Sequence, residues 1–204
     1  ADEAGDAAHP LVVLVHGAMD RSAGMLRLSR PLDHEYRVLR YDRRGYGKSF
    51  PHAGPFDMAG QVADLVQVLA GRTGVVVGHS FGGNVALATA ESHPHLVAGV
   101  VIYETPLSWE PWWPGSTAGA SAIRAAGQPE QAAEAFMRRL IGDVRWEGLP
   151  ERTRATRRAE GVALVEELAD LREHRPWHAD RIHVPVLVGY GTRGAAHHQQ
   201  GMAV

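Results

Sequence analysis

The chain has no cysteine and a single lysine, Lys48, among 204 residues. The first absence excludes disulfides, thiolate metal sites and cysteine nucleophiles, and it leaves the compartment unreadable from redox chemistry. The second means that basic character comes almost entirely from arginine. Charge of one sign is also lacking: the formal net charge is -2, which argues against electrostatic capture by nucleic acid. No apolar run approaches the roughly 18 residues that a membrane-spanning helix needs, so no membrane partner is expected. A cytoplasmic location is the expectation, for a chain that begins at Ala1 without an initiator Met and so leaves a removed signal or a missing N-terminal segment unjudged.

What is present is an apolar, glycine-punctuated chain. With 45% hydrophobic residues, it is long enough for one domain that buries roughly 70% of its unfolded surface. Leu11 to Val15 is a continuous apolar run, the pattern of a strand covered on both faces of a parallel sheet. A helical stretch from Ser22 to Arg30 is expected to stop at Pro31, and Tyr36 to Tyr41 reads as a second strand. Asp57 is placed to cap a helix in which Val62, Leu65, Val66 and Leu69 recur at helical spacing, with Gly71 closing it. Strand Val75 to Val77, helix Asn84 to Glu91 and strand Val97 to Tyr103 follow. This alternation predicts an α/β fold, a mostly parallel sheet with crossover helices, whose ligands sit beyond the carboxyl ends of the strands.

The most informative segment is Gly78-His79-Ser80-Phe81-Gly82-Gly83, between that third strand and its helix. A strand that turns abruptly into a helix forces its apex residue into a strained backbone conformation and requires small neighbours, which Gly78 and Gly82 provide. Gly83 lets the helix approach the strand closely. Ser80 Oγ is thereby left at a helix N-terminus, where free N–H groups favour the negative charge of an acyl-transfer oxyanion.

From Thr105 to about Asp180 the pattern changes. Prolines 106, 111, 114, 129 and 150 punctuate amphipathic helical stretches, Glu130 to Ile141 and Glu151 to Glu173, with no strand between them. This predicts an inserted helical cap over residues 106–180, with the core formed by 1–105 and 181–204. Trp109, Trp112, Trp113, Trp146 and Trp177 suit either ordinary packing or the wall of a substrate pocket. Arg152, Arg154, Arg157 and Arg158 alternate with Glu151, Glu160, Glu166 and Glu167, which reads as a solvated helix face rather than an anion site. Val184 to Val188 reads as a returning strand, and Gly189 to Val204 as a turn with part of a helix.

Three motifs now carry a resemblance: His16-Gly17-Ala18 after the first strand, Tyr41-Asp42-Arg43-Arg44-Gly45-Tyr46-Gly47-Lys48-Ser49 after the second, and the turn around Ser80. The chain resembles the α/β-hydrolase-fold family, in particular small serine esterases and lipase-like hydrolases with a helical cap. The resemblance implies that Ser80 is the nucleophile and that the backbone N–H groups of Ala18 and Phe81 form the oxyanion hole. It implies a structural, loop-organising role for His16. The Asp42 to Gly45 stretch is expected to be a turn held by Asp42–Arg ion pairing, since no Gly-rich turn precedes it as a dinucleotide site would require.

The family's usual acid position lies just past the returning strand, where this chain has Gly191-Thr192-Arg193-Gly194 and no carboxylate. Haloalkane dehalogenases and some other members carry the acid at the end of the strand after the nucleophile's helix, which corresponds to Glu104. The family's catalytic histidine follows one more strand than this sequence contains. The expectation is therefore a fragment that lacks N-terminal strands and the base itself, with His198 or His197 as substitutes. His79 is expected to point away from the apex into sheet–helix packing. An apex serine, rather than an aspartate, argues against alkyl-halide or epoxide chemistry.

Two functions stay open. One is a hydrolase of carboxylic esters or related small-molecule acyl substrates through an acyl-enzyme on Ser80. The other is a non-catalytic ligand-binding, or inactive truncated, protein of the same fold. Acyl transfer at an activated serine calls for no cofactor and no metal, and His197-His198 reads as part of a surface helix rather than a metal site. Oligomeric state is unreadable.

Overall fold

The computed structural model of the protein describes residues 1–203. Six strands form one sheet: β1 (Asp2–Ala4), β2 (Leu11–Val15), β3 (Arg37–Arg40), β4 (Gly74–His79), β5 (Val97–Tyr103) and β6 (Val186–Gly189), in the order β1-β3-β2-β4-β5-β6. All neighbours run parallel except β1, which pairs antiparallel with β3. An N-terminal strand absent from the sequence reading is therefore present at Asp2–Ala4. It is short, polar and half-exposed, so neither apolar periodicity nor turn chemistry marks it.

The all-apolar run of β2 is buried at every position because both faces are covered. Leu11, Val13 and Val15 join the larger core, whereas Val12 and Leu14 face a second, smaller cluster with Met25 and Val38, as the two-residue period of a strand requires. Helix α1 (Leu26–Leu32) follows a 3₁₀ turn at Ser22–Met25 and contains Pro31, running past the residue expected to stop it. Pro31 is its sixth residue, where the missing N–H removes one backbone bond of the last turn, and the helix ends one residue later. Helix α2 (Met58–Leu69) begins where Asp57 accepts a hydrogen bond from Gly60 N and ends with Ala70 in the left-handed region.

Helix α3 (Phe81–Ser92) packs against β4 and β5 and is buried along nearly its whole length, which explains its small residues and weak amphipathicity. Its one buried amide, Asn84, donates from Nδ2 to Pro106 O (2.9 Å) and accepts at Oδ1 from Trp177 Nε1 (2.9 Å). It thus ties down the two ends of the helical segment that separates β5 from β6.

That segment comprises α4 (Ala118–Arg124), α5 (Pro129–Ile141), α6 (Asp143–Glu147), α7 (Glu151–Ala159) and α8 (Gly161–Glu173). The single helix expected over Glu151 to Glu173 breaks at Glu160. A side chain at Gly161 would collide with Pro129 O, so close contact with the start of α5 fixes the break. The solvated-face reading of this region is corrected at two positions: Glu160 and Glu167 are 1% and 0% exposed. Arg154 and Arg158 do pair with surface carboxylates, including Glu151 and Glu134. Helix α9 (Ala196–Met202) follows β6. No helix among the described residues is long and apolar enough to cross a membrane.

Candidate active site

The β4–α3 turn is as tight as its glycines suggest. Ser80 has φ 53° and ψ −125°, a conformation of about 1–3 kcal/mol strain for a non-glycine residue. Surrounding contacts hold it there: Ser80 N donates to Tyr103 O and Gly83 N to Ser80 O, each at 2.9 Å. A Cβ on Gly78 would strike Gly82 O, one on Gly82 would strike Val15 O, and one on Gly83 would strike Thr105 Oγ1. Ser80 does not use its side chain to cap α3, so Oγ is free for other chemistry.

The loop after β2 closes against this apex. A Cβ built on Gly17 would lie 3.0 Å from Ser80 Cβ, so only glycine lets the Ala18 backbone come alongside. The loop is held from behind by His16, which is fully buried. Arg43 N donates to His16 Nε2 (2.9 Å), which leaves Nδ1 protonated and donating to Gly17 O (2.8 Å). Burial and the neighbouring Arg43 cation lower the His16 pKa from 6.5 to about 3, so this imidazole is neutral and structural, as the resemblance implies.

Ala18, Ser80, Phe81, His197 and His198 line one cavity of about 300 Å³, whose other walls include Trp113, apolar residues of α4, α5 and α8, and the side chains of Arg139 and Arg172. The structure thus brings together the serine, both expected oxyanion donors and the two substitute histidines. The Trp113 ring lies 4.8 Å from His197 and 5.4 Å from His198. Trp113 is a pocket wall. Trp146 is instead buried among α5 to α7, and Trp109 packs edge-on against Trp177 at 5.5 Å. His198 is pushed below its ordinary pKa by burial and by the adjacent His197, with Glu104 acting in the opposite direction. Its Nδ1 is buried with no hydrogen-bond partner among the described residues.

Glu104 stands at the end of β5 with φ 48°, and its Oε1 accepts from Gly191 N at 3.0 Å. The turn after β6, which lacks a carboxylate of its own, therefore receives one from the neighbouring strand. No hydrogen bond joins Glu104 to a histidine among the described residues. His79 leaves the cavity, as adjacent side chains on such a turn must. Its ring lies 6.0 Å from that of Tyr103. Among the described residues Asp42 makes no ion pair with an arginine: it accepts from Ser22 N (2.6 Å) and Lys48 N (2.8 Å), while Arg43 pairs with Glu167 and Arg44 with Asp64. The stretch is a structural turn, with different partners from those expected. Groups of three or more potential metal ligands are absent among the described residues.

This fold and this turn define a class. The profile of the alpha/beta hydrolase family matches residues 12–204. The chain belongs to that family. Among curated proteins it is 37% identical over 100 residues to a proline iminopeptidase from Arabidopsis thaliana, an alignment covering 46% of this chain and 26% of that one. It is 32% identical over 145 residues to the sn-1-specific diacylglycerol lipase ABHD11 of Mus musculus, covering 67% and 46%. A solved structure of a hydrolase from Pseudomonas aeruginosa PA01 superposes with a TM-score of 0.72 at 26% identity, covering 99% of this chain and 80% of that one. The chain spans less than half the length of these two curated relatives.

Proposed function

We propose that the protein is a serine hydrolase of carboxylic esters or related acyl substrates, with Ser80 as nucleophile. The observation that carries this reading is a strained, uncapped Ser80 lining the same cavity as Ala18 and Phe81. In the proposed reaction Ser80 Oγ attacks the acyl carbon as its proton passes to an imidazole. The resulting oxyanion is held by the N–H groups of Ala18 and Phe81, charge that exists only in the transition state and intermediate. Collapse expels the alkoxide, which takes the proton back from the imidazolium, and water then releases the acid by the same steps. His198 is the base this chain offers, with Glu104, whose charge acts on it, as the acid. The helical segment 106–180 acts as the cap that closes the cavity, over a core of 1–105 and 181–204.

The unpartnered His198 Nδ1 favours a second reading, in which the pocket binds a ligand without turning it over. A fluorophosphonate probe separates the two. Stoichiometric labelling that disappears in Ser80→Ala supports the hydrolase, and no labelling of the intact protein supports the binding module. Labelling that proceeds at the same rate in His198→Ala removes His198 as the base.

A further inference from the structure

Among the described residues, the cavity in front of Ser80 is lined by two cations and no carboxylate. Arg172, in the last turn of α8, and Arg139, on α5, both line it, and no Asp or Glu does. Arg172 Nη1 is shut off from solvent and has no hydrogen-bond partner among the described residues. Several other arginines of the segment meet a carboxylate, Arg138, Arg154, Arg157, Arg158 and Arg175 among them. The place of Arg172 at the end of α8 puts it near a helix's partial negative charge, yet no carbonyl accepts from Nη1. A buried, charged N–H without an acceptor is unfavourable by more than a neutral one. An acceptor that arrives with the ligand removes that penalty. Arg139 adds to the field on the same wall, since its charge reaches His197 and helps hold that imidazole neutral after burial itself.

Resting on the reading of Ser80 as an acyl-transfer nucleophile, we infer that the substrate is a small acyl compound carrying a carboxylate remote from its scissile carbonyl, received by Arg172 with Arg139 at the mouth. The planar guanidinium fork suits a carboxylate held by two parallel hydrogen bonds. The rest of the wall, including Phe136 and Leu168, suits the short apolar linker between the two groups. At about 300 Å³, the cavity lies at the small end of ligand sites, which fits a short half-ester rather than a long-chain lipid.

The test uses two near-isosteric probes, monomethyl glutarate and dimethyl glutarate, titrated calorimetrically into the Ser80→Ala protein so that neither is consumed. The monoanion is expected to bind roughly tenfold or more tightly than the diester, the gain typical of a hydrogen bond to a charged group. In Ser80→Ala with Arg172→Met that ratio falls to near one, and Arg172→Lys restores part of it. If Arg172→Met does not fold, Arg139→Met still lowers the ratio by a smaller factor. Equal binding of the two probes, no binding of the monoanion at millimolar concentration, or a ratio that survives these substitutions overturns the inference. Failure of the underlying reading is seen separately, as absent fluorophosphonate labelling of Ser80, because the binding ratio does not depend on that hydroxyl.

Discussion

Arg43 and Glu167 form a fully buried, two-pronged ion pair, Nη1 to Oε2 at 2.7 Å and Nη2 to Oε1 at 3.2 Å, across 124 residues of sequence. Tyr46 OH also donates to Glu167 (2.6 Å), while Arg43 Nε donates to His16 O (2.9 Å) and its guanidinium lies 4.6 Å over the Phe81 ring. The pair therefore joins α8 of the helical segment to both loops that flank Ser80. Breaking a buried pair from one side leaves the other charge uncompensated, so Glu167→Gln is expected to lower stability by about 3–5 kcal/mol. Replacing both partners, Arg43→Met with Glu167→Leu, removes the uncompensated charge but leaves Tyr46 OH and His16 O without these partners, so it recovers part of the loss. Urea midpoints of the three proteins check this, and a double variant no more stable than Glu167→Gln refutes it.

A methyl group at Gly17 tests the oxyanion loop. Gly17 is not among the positive-φ residues, so alanine suits the backbone, but its Cβ would lie 3.0 Å from Ser80 Cβ and 3.3 Å from His79 O. The loop has to retreat by a few tenths of an ångström, carrying Ala18 N away from the incipient oxyanion. Gly17→Ala is expected to slow fluorophosphonate labelling by up to about 10²-fold, the range for a lost oxyanion donor, with little change in melting temperature. An unchanged labelling rate would show that Ala18 does not serve as a donor.

The α3 glycine that faces Thr105 makes a third case. Gly83→Ala drives a Cβ into the buried Thr105 Oγ1, and overpacking of this kind destabilises by about 1–3 kcal/mol. Thr105 Oγ1 has no hydrogen-bond partner among the described residues, so removing it breaks none of their hydrogen bonds. Gly83→Ala combined with Thr105→Ala should therefore be more stable than Gly83→Ala alone in thermal unfolding. The opposite order would mean that α3 shifts rather than that the two groups collide.

Which parts of this fold were legible depended on how local their causes are. The buried run of β2, the Asp57 cap and the glycines around Ser80 declare themselves within a few residues. The antiparallel β1 does not, because a three-residue polar edge strand exists only through its pairing with β3. The break at Glu160 depends on Gly161 meeting Pro129 O, and Glu167 reads as a surface charge until Arg43 is seen beneath it. In the candidate site, the motifs point to Ser80, Ala18 and Phe81, whereas nothing in the sequence singles out Arg172 on its helix. Its place on the cavity wall, with a buried Nη1 that has no hydrogen-bond partner among the described residues, is a three-dimensional fact. The reach of Glu104 to the turn at Gly191 is equally invisible to spacing.

The neutral His16 gives the stability of the protein a pH signature. In the unfolded chain this imidazole takes up a proton below its ordinary pKa of 6.5, but in the fold burial, and then the Arg43 cation, delay that uptake to about 3. Between those values the unfolded state binds more protons, so stability falls as pH falls through this window and His16 adds no slope above it. The slope from one such group is at most about 1.4 kcal/mol per pH unit. Carboxylates held below their ordinary values, such as Glu134 beside Arg138, act in the same direction at the acid end, so the wild type alone does not isolate the imidazole. His16→Gln does, because an amide can accept from Arg43 N and donate to Gly17 O without titrating. Unfolding free energies at pH 7, 6 and 5 should converge as pH falls, with the wild type losing stability faster than His16→Gln. Parallel curves across that range would show that His16 is not held neutral against protonation by the fold.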